Sequence, residues 1–177
     1  MKTTMLLLLA ACLTLPAPAQ KQLEFLNQRF ELIAERNGQP VRLETKDFGL
    51  RINYETGAFF AKVNLTEARL FSDDEVEYRI PGDEFLEITG FVPVNQIYDN
   101  NNQKQNLKVE LNLKHLGSNI PVVFNVDLTR IKNASRGFTI FNMSGNINLR
   151  DFGVEDLKGY EPEVRIALEF QTVMVGG

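Results

Sequence analysis

The chain of 177 residues carries 44% hydrophobic and 24% charged side chains, which excludes wholesale disorder and fibrous repeats and suits one domain with a real core. Its formal charge is −4 and it holds no basic run, so nucleic acid and anionic lipid surfaces are poor partners. Thirteen Phe beside four Tyr and no Trp is the one compositional oddity.

Residues 1–19 read as an export signal. Lys2 supplies a small basic head, residues 5–15 are apolar, and Ala17-Pro18-Ala19 is an A-x-A cleavage site. The apolar run is far shorter than the roughly 20 residues that a membrane helix needs. The expected mature domain spans residues 20–177 and is periplasmic or secreted. Leu9-Ala10-Ala11-Cys12 also fits a lipobox, which would place a lipid on Cys12. The residues after Cys12 stay apolar instead of turning polar, which favours soluble export. Cys12 is the one cysteine, so its removal with the signal leaves no thiol for disulfides or metal ligation.

Leu23, Leu26, Phe30 and Ile33 recur at helical spacing, which predicts a short helix over residues 21–28. Asn37-Gly38 lies between Phe30/Leu32/Ala34 and Val41/Leu43 and predicts a hairpin, because both residues tolerate the positive φ of a tight turn. Phe48, Leu50, Ile52 and Tyr54 then alternate with Gly49, Arg51 and Asn53. A strand gathers such residues on one face, whereas a helix scatters them. Past the turn at Glu55-Thr56-Gly57, Phe59, Ala61, Val63 and Leu65 make the next apolar face. Residues 72–77 read as an exposed acidic loop, and Asp73, Asp74, Glu75 and Glu77 match no calcium loop of defined spacing.

Residues 86–94, with Ile88 on the apolar parity, form a further predicted strand. Residues 99–106 are almost wholly Asn and Gln and read as a solvated loop. Leu107, Val109, Leu111 and Leu113 alternate without exception with Lys108, Glu110, Asn112 and Lys114. A turn at Gly117-Ser118-Asn119 leads into Ile120, Val122, Phe124, Val126 and Leu128. In the strand over residues 137–149, which carries Ile147, apolar parity flips between Ile140 and Phe141 and predicts a bulge. Val164, Ile166, Leu168 and Phe170 form the last strand. The count is about eight or nine strands in an all-β chain, spaced as an antiparallel sandwich or barrel requires.

Chemistry has little material. His115 is the only histidine; it shares the apolar parity and stands beside a turn, which reads as a rim residue and not as a base or ligand. No metal spacing and no cofactor motif is present. The sequons at Asn64, Asn133 and Asn142 are read as chance matches. The more informative feature is the apolar volume assigned to one face. A closed barrel of this size holds either its own side chains or one slender ligand. The candidate lining is Phe48, Leu50, Ile52, Phe59, Val63, Ile88, Val109, Leu111, Phe124, Val126, Phe141, Ile147, Ile166, Leu168 and Phe170.

The stretch from Leu107 to Thr129 resembles the hairpin of the YceI-like family, with His115, Gly117, Pro121 and Val122 at its marked places. Gly145-Asn146-Ile147-Asn148-Leu149-Arg150-Asp151-Phe152-Gly153-Val154 is similar to that family's Arg-x-x-Phe-Gly-type signature with one residue fewer, and Val164-Arg165-Ile166 to its closing strand. The family's N-terminal His-Ser pair has no counterpart here. The resemblance implies a single lipocalin-like antiparallel barrel of about eight strands. It also implies export to the periplasm and a non-enzymatic apolar channel for a polyisoprenoid or similar lipid. In that frame Gly153 serves a turn, Phe152 is a plug, and Arg150 and Asp151 pair near a barrel end. Alternation alone leaves two other readings open: a small outer-membrane barrel with its apolar face outward, and a ligand-free sandwich that serves as an adhesin or assembly subunit.

Overall fold

The computed structural model describes residues 22–66, 68–71, 78–79, 84–93, 104–132, 137–153 and 158–175. The expected signal with Cys12, the acidic loop, Val94, residues 99–103, the sequon at Asn133 and Val154 lie outside the described residues.

The strands are β1 (Gln22–Arg36), β2 (Gln39–Thr45), β3 (Phe48–Ile52), β4 (Ala58–Asn64), β5 (Arg69–Phe71), β6 (Tyr78–Arg79), β7 (Phe85–Phe91), β8 (Lys104–His115), β9 (Ser118–Lys132), β10 (Gly137–Asn148) and β11 (Glu163–Val175). They form one antiparallel sheet in the order β3-β4-β7-β8-β9-β10-β11-β1-β2-β5-β6. Only Lys46 and Asp47 separate β2 from β3, and the two strands run the same way. Together they make one bent strand whose first half pairs with β1, as in Leu32↔Leu43, and whose second half pairs with β4, as in Leu50↔Ala61. The bend ties opposite sides of the sheet together, and the result is a lipocalin-like antiparallel barrel. A two-sheet sandwich is not what this chain builds.

The helix expected over residues 21–28 is a strand instead. β1 pairs with β11 from Gln22↔Val175 to Ile33↔Arg165. Its misleading spacing comes from a bulge between Leu26↔Gln171 and Arg29↔Glu169, where Asn27 (φ 51°) and Gln28 both oppose Phe170. The inserted residue shifts parity, so Leu26 and Phe30, both assigned to one helical stripe, lie on opposite faces at 44% and 0% exposure.

The bulge expected in β10 is absent. β10 pairs with β11 without a slip from Phe138↔Val173 to Asn148↔Glu163. Its inward parity runs through Phe141, Met143, Gly145 and Ile147, while Phe138 and Ile140 are half-buried on the other face. β8 begins earlier than expected: residues 104–106 of the Asn/Gln-rich loop belong to the ladder, and Asn106 Nδ2 donates to Asp127 Oδ1 at 2.7 Å. The following turn is Leu116-Gly117, because Ser118 already pairs with His115.

The β3–β4 turn is held tightly. Asn53 Oδ1 accepts from Glu55 N at 2.9 Å and Thr56 N at 3.0 Å, and Val92 N donates to Gly57 O at 2.8 Å. Gly57 has φ 77°, and a Cβ there would lie 2.4 Å from the Val92 carbonyl oxygen. Both the dihedral and the space demand glycine. Gly57→Ala is expected to destabilise the fold by about 1–3 kcal/mol in urea titration, and an unchanged midpoint would contradict the turn geometry.

Candidate functional site

Every one of the candidate lining residues turns inward and joins one buried cluster. They comprise Phe48, Leu50 and Ile52 of β3, Phe59 and Val63 of β4, Ile88 of β7, Val109 and Leu111 of β8, Phe124 and Val126 of β9, Phe141 and Ile147 of β10, and Ile166, Leu168 and Phe170 of β11. None of them is more than 8% exposed. The candidate lining left out other members of the same cluster, among them Phe30, Leu43, Leu86, Leu113, Leu128 and Met143. The signal for β8 and β9 was present in the alternation; for Phe30 it was hidden by the bulge.

Phe170 is the centre of the aromatic packing. Phe141 stacks on it at 4.6 Å and 12° between planes, Phe25 meets it edge-on at 6.2 Å, and Phe59 leans on it at 6.5 Å. Phe141 and Phe25 belong to strands flanking β11. Phe59 belongs to β4, well along the sheet, so its contact crosses the interior. Offset and edge-on pairs of this kind contribute about 0.5–1.5 kcal/mol each beyond their area.

The two ends of the barrel differ in chemistry. At the β8–β9 end, Ile120, Leu149 and Phe152 are partly buried against the core. A 3₁₀ turn, Leu149–Phe152, carries Phe152 there, started by Asn148 Oδ1 accepting from Arg150 N at 3.0 Å and ended by Gly153 at φ 74°. Phe152 meets the His115 ring edge-on at 6.3 Å, with the ring's Nδ1 3.1 Å from the Phe85 carbonyl oxygen and its Nε2 3.9 Å from Glu84 Oε2. A carbonyl can only accept, so Nδ1 carries the proton. His115 is thus a rim residue fastened to β7. At the other end, Phe25, Tyr54 and Leu107 are partly buried, and Tyr54 Oη lies 3.2 Å from Oγ1 of buried Thr172.

Buried charge is kept on the outer wall, while half-buried Arg130 shares the parity of Leu128 at the Tyr54 end. Among the described residues Glu31 is the one buried charge, and its parity, opposite to that of Phe30, faces it outward. It sits 3.5 Å from Arg29 Nη1 and 3.6 Å from Arg42 Nη1, and Arg29 also binds Glu169 at 2.7 Å. Desolvation works against the charge of Arg29, but the hydrogen bond to Glu169 and the fields of Glu31, Glu169 and Glu44 outweigh it and hold the guanidinium above its ordinary value. Lys108, Glu110, Asn112 and Lys114 of β8 are all exposed. The outward face of β8 therefore offers no stretch of the apolar belt that an outer-membrane barrel turns to lipid. Two depressions of about 550 Å³ and 350 Å³ also lie on the outer wall, the first lined by Glu35, Glu161, Glu163 and Arg165, the second by Arg51, Phe60 and Lys62. Neither encloses apolar surface as the interior does. Among the described residues, no three His, Cys, Asp or Glu side chains converge as a metal site.

No family model and no curated protein sequence matches the chain. Solved structures do. A polyisoprenoid-binding domain from Saccharophagus degradans, implicated in plant cell wall breakdown, superposes with a TM-score of 0.66 at 10% identity, over 86% of this chain and 97% of that one. BcnA from Burkholderia cenocepacia superposes with a TM-score of 0.52 at 15% identity, over 81% of this chain and 95% of that one. At such identities the likeness is one of fold. It is the lipocalin-like barrel that the YceI-like resemblance implies.

Phe124 is fully buried among these strands. Phe124→Ala is expected to lower unfolding stability by about 3–5 kcal/mol, and a loss below 1 kcal/mol in denaturant titration would show that the site is loosely packed.

Proposed function

We propose that this chain is an exported, non-enzymatic binding protein that holds a polyisoprenoid or similar long-chain lipid in the barrel. The observation that carries this reading is the apolar, aromatic-rich buried cluster, with the one buried charge among the described residues, Glu31, facing outward. Each methylene moved from water into such surroundings contributes about 0.8 kcal/mol, so a long chain gains strongly while needing few directional contacts. A barrel of this size suits a slender chain threaded among rings and not a bulky fused-ring ligand. The shared fold with a polyisoprenoid-binding domain supports the same ligand class. Export of residues 20–177 rests on the A-x-A site, with lipidation of Cys12 as the rival route.

Native mass spectrometry of the protein purified from its own host tests both parts. The expected spectrum has a polypeptide that begins at Gln20 and carries a non-covalent adduct that organic extraction releases as a long-chain lipid. A diacylated Cys12 would contradict soluble export. A repeatedly lipid-free protein that also takes up no added chain would contradict the binding function.

A further inference from the structure

The end of the barrel opposite the β8–β9 turn contains a polar atom that the fold leaves unused. Gln28 follows Asn27 in the β1 bulge, on the inward parity of Phe30 and opposite Phe170. Its Nε2 donates to the Phe25 carbonyl at 3.5 Å. That bond fixes the amide's orientation, since the reverse would set oxygen against oxygen. Its Oε1 is buried and has no hydrogen-bond partner among the described residues. Folding alone would not favour such an atom in an aromatic interior, because a buried acceptor without a donor is penalised.

Two further neutral groups lie close by in register. Phe25, whose carbonyl anchors Gln28, pairs with Thr172, and the Thr172 hydroxyl is held by Tyr54. These groups lie beside a seam in the wall. β1 pairs with β2 only from Phe30 onward, and β3 pairs with β4, so among the described residues no ladder joins the first half of β1 to β3. The bent strand that closes the barrel leaves this gap as it passes from one neighbour to the other.

We propose that Gln28, with the Tyr54–Thr172 pair, is a head-group site that accepts a hydrogen bond from a neutral donor, such as the hydroxyl of a long-chain alcohol. This inference rests on the lipid-binding reading and narrows it. The apolar chain lies in the core, and its polar terminus meets Gln28 Oε1 at the seam. A pyrophosphate or carboxylate terminus finds an acceptor at Gln28 Oε1 where it needs a donor, and the half-buried cation on the inward parity at this mouth, Arg130, already has a partner. The class of ligand selected is therefore an uncharged alcohol and not its phosphorylated form.

Competition against a fluorescent apolar probe, N-phenyl-1-naphthylamine, separates the possibilities with three ligands of one chain length: farnesol, farnesyl pyrophosphate and the hydrocarbon farnesene. Wild-type protein is expected to bind farnesol about tenfold more tightly than farnesene, and farnesyl pyrophosphate more weakly than farnesol. Gln28→Met keeps the side-chain length and removes the acceptor; it is expected to lose the preference for farnesol while farnesene binding holds. Equal wild-type affinities for farnesol and farnesene would overturn the head-group site and leave lipid binding intact, as would tightest binding of the pyrophosphate or a preference that survives in Gln28→Met. Failure of all three ligands to displace the probe from wild-type protein would overturn the lipid-binding reading and the head-group site with it.

Discussion

Phe59 and Phe170 come from strands far apart in the sheet, and their rings meet at 6.5 Å. An open sheet would hold them far apart, so the contact exists only because the sheet curls on itself. Curling is favourable in turn because it removes those rings, and the side chains stacked with them, from water. The bent β2–β3 strand converts that tendency into a closed shape by pairing with β1 first and β4 afterwards. Its corner cannot satisfy both neighbours along its whole length. The seam beside the first half of β1 is the geometric consequence of closing the barrel in this way.

The same parity that fills the interior sorts the electrostatics. Each outward position beside an inward Leu, Val or Phe on β8 is Lys, Glu or Asn, and the Arg29–Glu31–Arg42 cluster decorates the outer face of β1 and β2. Near one mouth the interior holds Gln28, Tyr54 and Thr172, with half-buried Arg130 on the same parity as Leu128. Its other mouth is plugged by the 3₁₀ turn and by His115, which is tied to a backbone carbonyl. One end is thus built for packing. The other retains an acceptor, a hydroxyl pair and an unladdered wall, and the proposed route and head group of a lipid both belong there.

Strand parity was legible in the sequence wherever alternation ran unbroken, as through β8, where Leu107 to Leu113 and their polar neighbours gave both the strand and its buried face. It failed where one residue was inserted. The bulge at Asn27 and Gln28 turns a period of two into a local spacing of three and four, which is why β1 read as helix. It also concealed Gln28, whose inward direction follows only once the extra residue is counted. In β10 the opposite error arose: Phe138 and Ile140 are apolar residues on the outward parity, half-buried beside their neighbours, and no bulge is needed to place them. β5 and β6 span three and two residues, too short for any period to register. The closure itself was out of reach, because nothing in the pattern says that a strand will change partners at Lys46 and Asp47.

In the proposed complex an apolar chain occupies the space around Phe170, inside the barrel and not on its wall. Paramagnetic relaxation from a long-chain alcohol carrying a nitroxide, read on methyl resonances of the intact protein, measures this directly. Occupancy of the interior predicts strong broadening of Leu111, Ile166 and Leu168, with the exposed Val123 methyls unaffected. Broadening confined to Val123 and other outward methyls, with the interior signals unchanged, would contradict it.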